Sequence, residues 1–338
     1  MRKVINAMVV AMLAGPALVL GQGGDVNKVL ADMKAALGGA DKVAAVKTIA
    51  ATGRSLRTNA SGTTTENEFE LAMELPDKYM MRSMLMNMGS MSIYRNAGFN
   101  GAGLIDVVDQ PPSLGGGGGM IMVRRAGGPA DGSAPSPEQQ AEMDARAVLS
   151  QKQEFARLAL GMFGSSYDAF PLEFSYGGEA EAADGKAWVI DAKGADDFSV
   201  RLFVDARTNL PLMMSWMAPE PPVMQQTVNR GGGPGAAGGH TMQMGQGASF
   251  ASAGSDQMTA EERERMMADM EARRREAEAN RKIVEYRIYY SNYRTVGGVK
   301  LPHTMQRSID GKPTEEMTFD SLKVNPKIDS KKFDVTKR

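Results

Sequence analysis

Cysteine is absent from this chain of 338 residues, and histidine is nearly absent, with two residues. Without cysteine there is no disulfide, thiolate metal site, cysteine nucleophile or lipid-modified N-terminal cysteine. A serine–histidine–aspartate triad would have to use His240 or His303, and no G-x-S-x-G motif accompanies either. No H-E-x-x-H motif is present to suggest a helix-borne zinc site. The sequence therefore predicts a protein that is not an enzyme and that uses no cofactor and no metal.

Aromatic residues and net charge are also scarce, at 6% and −1. A balance this close to neutrality gives no electrostatic reason to expect nucleic acid or an anionic membrane surface as a partner. The apolar fraction of 42% is slightly below that of an average globular domain, because 38 glycines dilute it. We therefore expect a globular protein that carries glycine-rich inserts.

The first residues have the pattern of an export signal. Met1-Arg2-Lys3 is positively charged, and the apolar run Val4–Leu20 follows, interrupted by Gly15-Pro16. An uncleaved membrane anchor is the alternative, but the run is shorter than the ~20 residues that span a bilayer. We predict a signal peptide over residues 1–21, cleaved after Val19-Leu20-Gly21, and a periplasmic mature chain without lipidation.

Alternating apolar and polar residues predict most of the secondary structure as strands. The clearest case is Glu66–Leu75, and the stretch Ile283–Val335 contains three such runs separated by Gly297-Gly298 and Asp310-Gly311. Helical periodicity marks two amphipathic helices, one near the N-terminus and one from Pro137 to about Phe163. The order helix, strands, helix, strands predicts an α+β fold. We expect a single strongly curved antiparallel β-sheet of about ten strands, unclosed and half-barrel-like, with helices packed across its concave face.

Three segments interrupt this pattern within a single predicted domain, 22–338. Two are low-complexity inserts, at 111–137 and 219–258, and the third is a long charged helix at 259–282. We interpret all three as additions to the domain. An alternative function depends on them: a non-enzymatic envelope binding module whose glycine-rich loops and charged helix recruit an envelope or outer-membrane protein.

Methionine is unusually frequent, with 27 residues. The cluster around Met84, Met86 and Met88 could form a deformable apolar lining, since thioethers adapt to irregular ligands. Methionine could equally replace leucine in an ordinary core. A weaker alternative is a periplasmic Cu(I) binder, because thioether sulfur is a soft ligand and His240 lies in an H-x-M-x-M sequence.

Two arginines, Arg57 and Arg82, lie on predicted strands among apolar neighbours. An inward side chain could meet a ligand head group at a cavity mouth. An outward, solvated side chain is the expectation for both.

Five short sequences follow one another along the chain: Glu74-Leu75-Pro76-Asp77-Lys78-Tyr79, Leu202-Phe203-Val204-Asp205, Thr208-Asn209-Leu210-Pro211-Leu212, Gly297-Gly298-Val299-Lys300-Leu301-Pro302 and Val324-Asn325-Pro326-Lys327-Ile328-Asp329. In this order they resemble the LolA/LolB-type outer-membrane lipoprotein-sorting superfamily. The resemblance extends over nearly all of Asp25–Val335 apart from the inserts, and it implies an unclosed β-barrel whose helices enclose an apolar cavity for acyl chains.

The resemblance and the one-sided strands together predict a monomeric carrier or chaperone in the periplasm. Its partners would be lipoprotein acyl chains or lipid, held by burial alone, with delivery to an envelope protein as a further possibility. The side chains expected to line the cavity are Phe69, Leu71, Met73, Met84, Met86, Trp188, Ile190, Trp216, Tyr286, Ile288, Tyr290, Met305 and Phe319.

Overall fold

Twelve antiparallel strands form one sheet, and the helices pack against it. The structure, a computed structural model, describes residues 24–59, 62–87, 92–109, 136–182, 185–221 and 280–336, together with five isolated residues between 265 and 276. The predicted signal peptide and nearly all of both low-complexity inserts lie outside these residues. So does most of the predicted charged helix, although its five isolated described residues are helical.

The helices and strands alternate in chain order much as the sequence patterns predict. Three α-helices are described: α1 (Val26–Ala36), α2 (Ala40–Ala44) and α3 (Pro137–Phe163). The strands are β1 (Thr48–Thr58), β2 (Thr64–Glu74), β3 (Lys78–Asn87), β4 (Ser92–Asn100), β5 (Gly103–Asp109), β6 (Glu173–Ala182), β7 (Gly185–Lys193), β8 (Ser199–Asp205), β9 (Pro211–Pro219), β10 (Ile283–Val296), β11 (Val299–Ile309) and β12 (Lys312–Val324).

The strand order is β5-β4-β3-β2-β1-β12-β11-β10-β9-β8-β7-β6. The chain therefore builds one meander from β1 to β5, crosses to the far edge through α3, and returns through a second meander from β6 to β12. Pairing of β1 with β12 joins the two meanders in the middle of the sheet. Because β5 and β6 do not pair with each other, the sheet stays unclosed. The predicted fold class, a single open antiparallel sheet with helices on one face, is confirmed, with twelve strands where about ten were expected.

The ends of the helices follow from local sequence. Asp25 caps α1, its carboxylate accepting from the backbone N–H of Asn27 at 2.9 Å. Ser136 and Gln139 form a reciprocal capping box at the start of α3, where Pro137 takes the first helical position. Gly164 ends α3 in the left-handed conformation, with φ of 59°. We call the face of the sheet that α3 covers the inner face, and the opposite one the outer face.

A small second core closes part of the outer face. After β12 the chain forms a 3₁₀ helix, Ser330–Phe333, which places Phe333 against Ala72, Met80 and Ile105. Thr336 then donates its backbone N–H to Leu104 O at 2.8 Å, so the C-terminal segment reaches the edge strand β5. The outer face is thus apolar beneath this segment, which explains why the methionines of β3 occur on both sides of the sheet.

Candidate functional site

The inner face carries a continuous apolar wall across the middle of the sheet. Strand pairing places Phe69 beside Gly53, Leu71 beside Met81, and Met305 beside both Tyr290 and Met317. Because successive residues of a strand point to opposite faces, these pairs fix which side chains share the wall. Its central members are all 5% exposed or less: Phe69, Leu71, Met73, Ile288, Tyr290, Met305 and Phe319.

The C-terminal half of α3 packs directly onto this wall. The ring of Phe155 contacts Phe99 edge-on, with centroids 5.5 Å apart, and also contacts Tyr79 at 6.2 Å. At Gly161 the helix comes so close to the sheet that a Cβ there would lie 2.2 Å from the Tyr290 hydroxyl. The buried residues of α3 begin at Val148, so its first eleven residues have no buried side chain.

The cavity left between α3 and the inner face has a volume of only about 20 Å³. This is enough for about one water molecule and far below the ~300–1,000 Å³ of typical ligand pockets. Among the described residues, the wall and α3 fill the space between them with their own side chains, so the roomy apolar cavity implied by the resemblance is not found beneath α3. The lining is also partly charged, because it includes Glu154, Arg157 and Arg307. The residues that line the cavity are Leu71, Tyr79, Met81, Glu154, Arg157, Leu158, Ile288, Tyr290, Met305, Arg307, Met317 and Phe319.

A chain of ion pairs, which we call the seam network, connects α3 to the centre of the sheet. Glu154 on α3 accepts from Arg157 at 2.7 Å and from Arg307 on β11 at 3.3 Å. Arg307 also lies 3.6 Å from Glu315 on β12, which accepts from Arg57 at 2.8 Å. Three arginines and two glutamates leave the seam network with a formal charge of +1.

Mutual attraction keeps both glutamates of the seam network ionised. Burial disfavours the charged form of Glu154, but the Arg307 and Arg157 guanidiniums outweigh it, and the pKa of Glu154 lies below its ordinary value. Burial opposes the charge of Glu315 in the same way, and Arg307 and Arg57 lower its pKa. The pKa of Arg157 is lowered, chiefly because burial disfavours its charge. The network is therefore fully charged near neutral pH.

Two buried polar atoms beside this network have no hydrogen-bond partner within the described chain. They are Nε of Arg157 and the hydroxyl oxygen of Tyr290. The Arg157 guanidinium instead stacks over the rings of Trp216 at 4.6 Å and Phe198 at 5.0 Å. An unpartnered buried polar group destabilises a closed structure, typically by ~1–3 kcal/mol. The contact between α3 and the sheet is therefore less favourable than its apolar area alone suggests.

The structure brings most of the predicted lining residues onto one face. Trp216 stacks on Tyr286 with ring centroids 5.4 Å apart, and Arg157 of α3 lies over the Trp216 ring. Trp188 and Ile190 share the same face two strands further, and Trp188 is partly buried. Met84 pairs with Tyr94, and the ring of Tyr94 lies under the Arg82 guanidinium on the outer face. Met84 therefore lies on the outer face as well and cannot line the cavity beneath α3, which is a correction to the prediction. The side chain of Met86 lies outside the described residues.

The two strand arginines lie on opposite faces. Arg82 is on the outer face, as expected, where it faces Tyr94 at 3.8 Å. Arg57 was expected to be outward too, and this was wrong, because it reaches the inner-face Glu315. Its side chain is nevertheless 53% exposed, which places it at the rim of the seam network.

Sequence reasoning missed the central members of the seam network. A signal did exist, because Glu154 lies on the same helical face as Leu158 and Gly161, at positions i+4 and i+7. Arg307 likewise falls in the alternating series of Met305, where a buried side chain is expected. The sequence does not indicate that these two residues form a pair, because Glu154 and Arg307 are 153 residues apart.

A second, larger opening lies where the helices end, and we call it the end cleft. Its volume is about 510 Å³, and it lies between α2, the turn that joins β2 to β3, and the segment after α3. Among the residues that line it are the apolar side chains of Val43, Val46 and Leu75 and the lysines Lys34 and Lys47.

Within the described residues, no group of three or more histidine, aspartate or glutamate side chains is arranged to hold a metal ion. His303 is buried on β11, with Nδ1 3.1 Å from Leu301 O, and His240 lies outside the described residues. Met88 is also outside them, so the Cu(I) alternative stays a prediction. None of the described helices has the length and apolar character needed to cross a membrane.

Three solved structures resemble the chain along most of its length. They are a DUF1329 family protein from Desulfovibrio piger (10% identity, TM-score 0.43), a putative outer membrane lipoprotein-sorting protein domain from Vibrio parahaemolyticus (11%, 0.40) and a LolA superfamily protein from Nitrosomonas europaea (8%, 0.41). The alignments cover 92%, 90% and 91% of this chain and 98%, 94% and 96% of the respective structures. At such low identities and TM-scores, these likenesses support no conclusion about ligands or function. No family model and no curated protein matches the sequence.

Proposed function

We propose that this chain, an open sheet with a long helix across its inner face, is a periplasmic carrier for acyl chains of lipoproteins or lipids. The observation that carries the proposal is the apolar wall beneath α3, in which seven side chains from four strands are 5% exposed or less. Apolar surface of this extent serves folding, but among the described residues α3 covers the wall through a contact that is partly charged.

Ligand entry requires α3 to separate from the sheet, because the closed cavity of about 20 Å³ has no room for an acyl chain. Burial stabilises a transferred chain by ~0.8 kcal/mol per methylene, so about sixteen methylenes gain roughly 13 kcal/mol. The seam network can exchange its ion pairs for water on opening, at small net change for partly exposed pairs.

Binding in this proposal needs no reactive group. The ligand is retained by exclusion of water from the wall, and release follows when an acceptor offers a more favourable apolar environment. Localisation outside the cytoplasm rests on the export signal over residues 1–21.

Native mass spectrometry of the full-length mature protein, purified from membranes without detergent exchange, tests the proposal directly. We expect a mass increment that corresponds to one bound lipid or acyl chain and that disappears on delipidation. Oleate added back should restore it.

Tryptophan fluorescence gives a second readout of the same event. In a Trp188→Phe variant the only tryptophan is Trp216, which contacts Arg157 of α3. Oleate should change the intensity and wavelength of its emission as α3 moves away, and a Trp216→Phe variant, which keeps Trp188, serves as the control. A protein that takes up no lipid in the mass spectrum and whose emission is unaffected by oleate would contradict the proposed function.

A further inference from the structure

The end cleft differs from the closed cavity in being already large enough to hold part of a ligand. Its volume of about 510 Å³ lies within the usual range for ligand pockets. It opens at the end of the molecule where α1 and α2 meet the turn between β2 and β3. A ligand could therefore reach it without any movement of α3.

The floor of the end cleft is apolar. Val43 and Val46 are 2% and 3% exposed, and both belong to the main core. Leu75 and the ring of Tyr167 are partly buried and pack against the same core. Burial raises the pKa of Tyr167 to about 12, which agrees with an apolar environment at this point. Such a floor favours the hydrocarbon part of an amphiphile.

The polar groups of the end cleft are mainly cationic. Lys34 on α1 and Lys47 before β1 both line it, and Asp41 is the only acidic residue of the described chain that does so. Among the described residues neither lysine forms an ion pair. Ser166 accepts from the backbone N–H of Leu172 at 2.7 Å, which leaves its hydroxyl proton free to donate. Two ammonium groups and a hydroxyl donor favour an anion.

A row of aromatic rings separates the end cleft from the wall beneath α3. Tyr167 in the cleft contacts Phe155 of α3 at 5.8 Å, and Phe155 contacts Tyr79, which lines the small cavity. Movement of α3 displaces the middle ring of this row. The end cleft would then join the space beneath α3, so that one ligand could occupy both.

From this geometry we propose that the end cleft binds the anionic head group of the ligand, with Lys34 and Lys47 as its cationic partners. The ligand class is an acyl chain that carries a carboxylate or a phosphate. The inference rests on the proposed carrier function and adds to it the location of the head group and the sign of its charge.

Binding of three probes to the full-length mature protein tests the inference: oleate, oleoyl-lysophosphatidate and uncharged monoolein. In a Lys34→Gln/Lys47→Gln variant we expect oleate and lysophosphatidate to bind about tenfold more weakly, because each loses charge-assisted hydrogen bonds. Monoolein should bind both proteins equally. The loss for the anions should diminish at high salt, where the ammonium groups are screened in the unmodified protein too.

A Lys186→Gln/Lys312→Gln variant is the matched control, since both lysines are exposed and lie outside the end cleft while the change of net charge is the same. It should bind all three probes as the unmodified protein does. Equal affinity of oleate and lysophosphatidate for the cleft variant and the control would overturn the head-group site while leaving the carrier function intact. If only one anion weakens, the site selects that head group. Failure of all three probes to bind the unmodified protein would overturn the carrier function and this inference together.

Discussion

Gly161 marks the closest approach of α3 to the sheet, and a single methyl group there tests how tightly the two are packed. A Cβ at this position would lie 2.2 Å from the hydroxyl and 2.4 Å from Cζ of Tyr290, and Tyr290 is itself buried. Either the ring or the helix must move. We expect Gly161→Ala to lower the free energy of unfolding by about 1–3 kcal/mol, measured by urea denaturation.

The control for this prediction is Ala145→Gly, at an exposed position of the same helix. It isolates the helix propensity difference of about 1 kcal/mol, which by itself favours alanine over glycine. A Gly161→Ala protein that is as stable as the parent, or more so, would show that α3 does not pack on Tyr290 as described.

Glu154 is the residue that connects α3 to the seam network, and its removal leaves Arg307 and Arg157 without their shared partner. Because Glu154 is only 32% exposed and Arg307 38%, the cost should lie between that of a surface pair and that of a fully buried one. We expect Glu154→Gln to lower the free energy of unfolding by about 1–3 kcal/mol at pH 7. Glu142→Gln, which breaks the exposed pair with Arg146 on the same helix, should cost under about 0.5 kcal/mol.

The seam network also predicts how stability depends on pH. The pKa values of Glu154 and Glu315 are lower in the folded protein than their ordinary values, so the unfolded chain binds protons more readily. Their contribution is fully present above about pH 5 and is lost as the pH falls through the folded pKa values. A Glu154→Gln/Glu315→Gln protein should therefore lose less stability than the parent between pH 5 and more acidic values in the same urea assay. Parallel stability curves for the two proteins would argue against this role of the network.

At the scale of elements, the two halves of α3 differ in how much of their side-chain surface is buried against the sheet. From Pro137 to Ala147 no side chain is buried, whereas Phe155, Leu160 and Phe163 are each 1% exposed or less. Capping at Ser136 stabilises the start of the helix, but only tertiary contacts hold it to the sheet.

Amide hydrogen exchange should distinguish these halves. We expect backbone amides of the second half of α3 to exchange far more slowly than those of the first, because opening the first half exposes little apolar surface. Oleate should accelerate exchange in the second half if α3 separates from the sheet to admit ligand. Uniform protection along the whole helix would contradict this division.

At the scale of the whole molecule, the hairpin between β9 and β10 indicates that the second insert is separable from the fold. Ile283 pairs with Pro219, and Glu220 donates its backbone N–H to Lys282 O at 2.8 Å. The two chain ends at the base of the insert are therefore adjacent, and a short turn containing glycine can join them.

Replacement of residues 222–279 by such a turn is expected to change the free energy of unfolding by less than about 1 kcal/mol, since loop length has a small entropic effect. Oleate affinity should be unchanged, because the described residues that line the cavity beneath α3 and the end cleft all remain in place. Loss of binding to an envelope protein partner on this replacement would favour the binding-module alternative. Loss of lipid binding in a stable protein would contradict the location of the ligand beneath α3 and in the end cleft.

The sequence by itself determined the elements and the architecture. Alternation in β2 and in the meander β10–β12, caps at Asp25 and Ser136, and turns at Gly297-Gly298 and Asp310-Gly311 are local features, each set by a few neighbouring residues. The same alternation identified the apolar wall, because strand geometry alone decides which residues share a face.

Only the tertiary structure decided the character of the space beneath α3. Its volume depends on how side chains from α3 and five strands fit together, and sequence periodicity carries no information on that fit. The strand register joined Arg57, Glu315 and Arg307 across three strands, and the crossing of α3 brought Glu154 to them. The strand register also placed Met84 on the outer face, and the tertiary structure brought Lys34 and Lys47 together at the end cleft. Such contacts join residues that are distant in the chain, and only the folded sheet sets the distances between them.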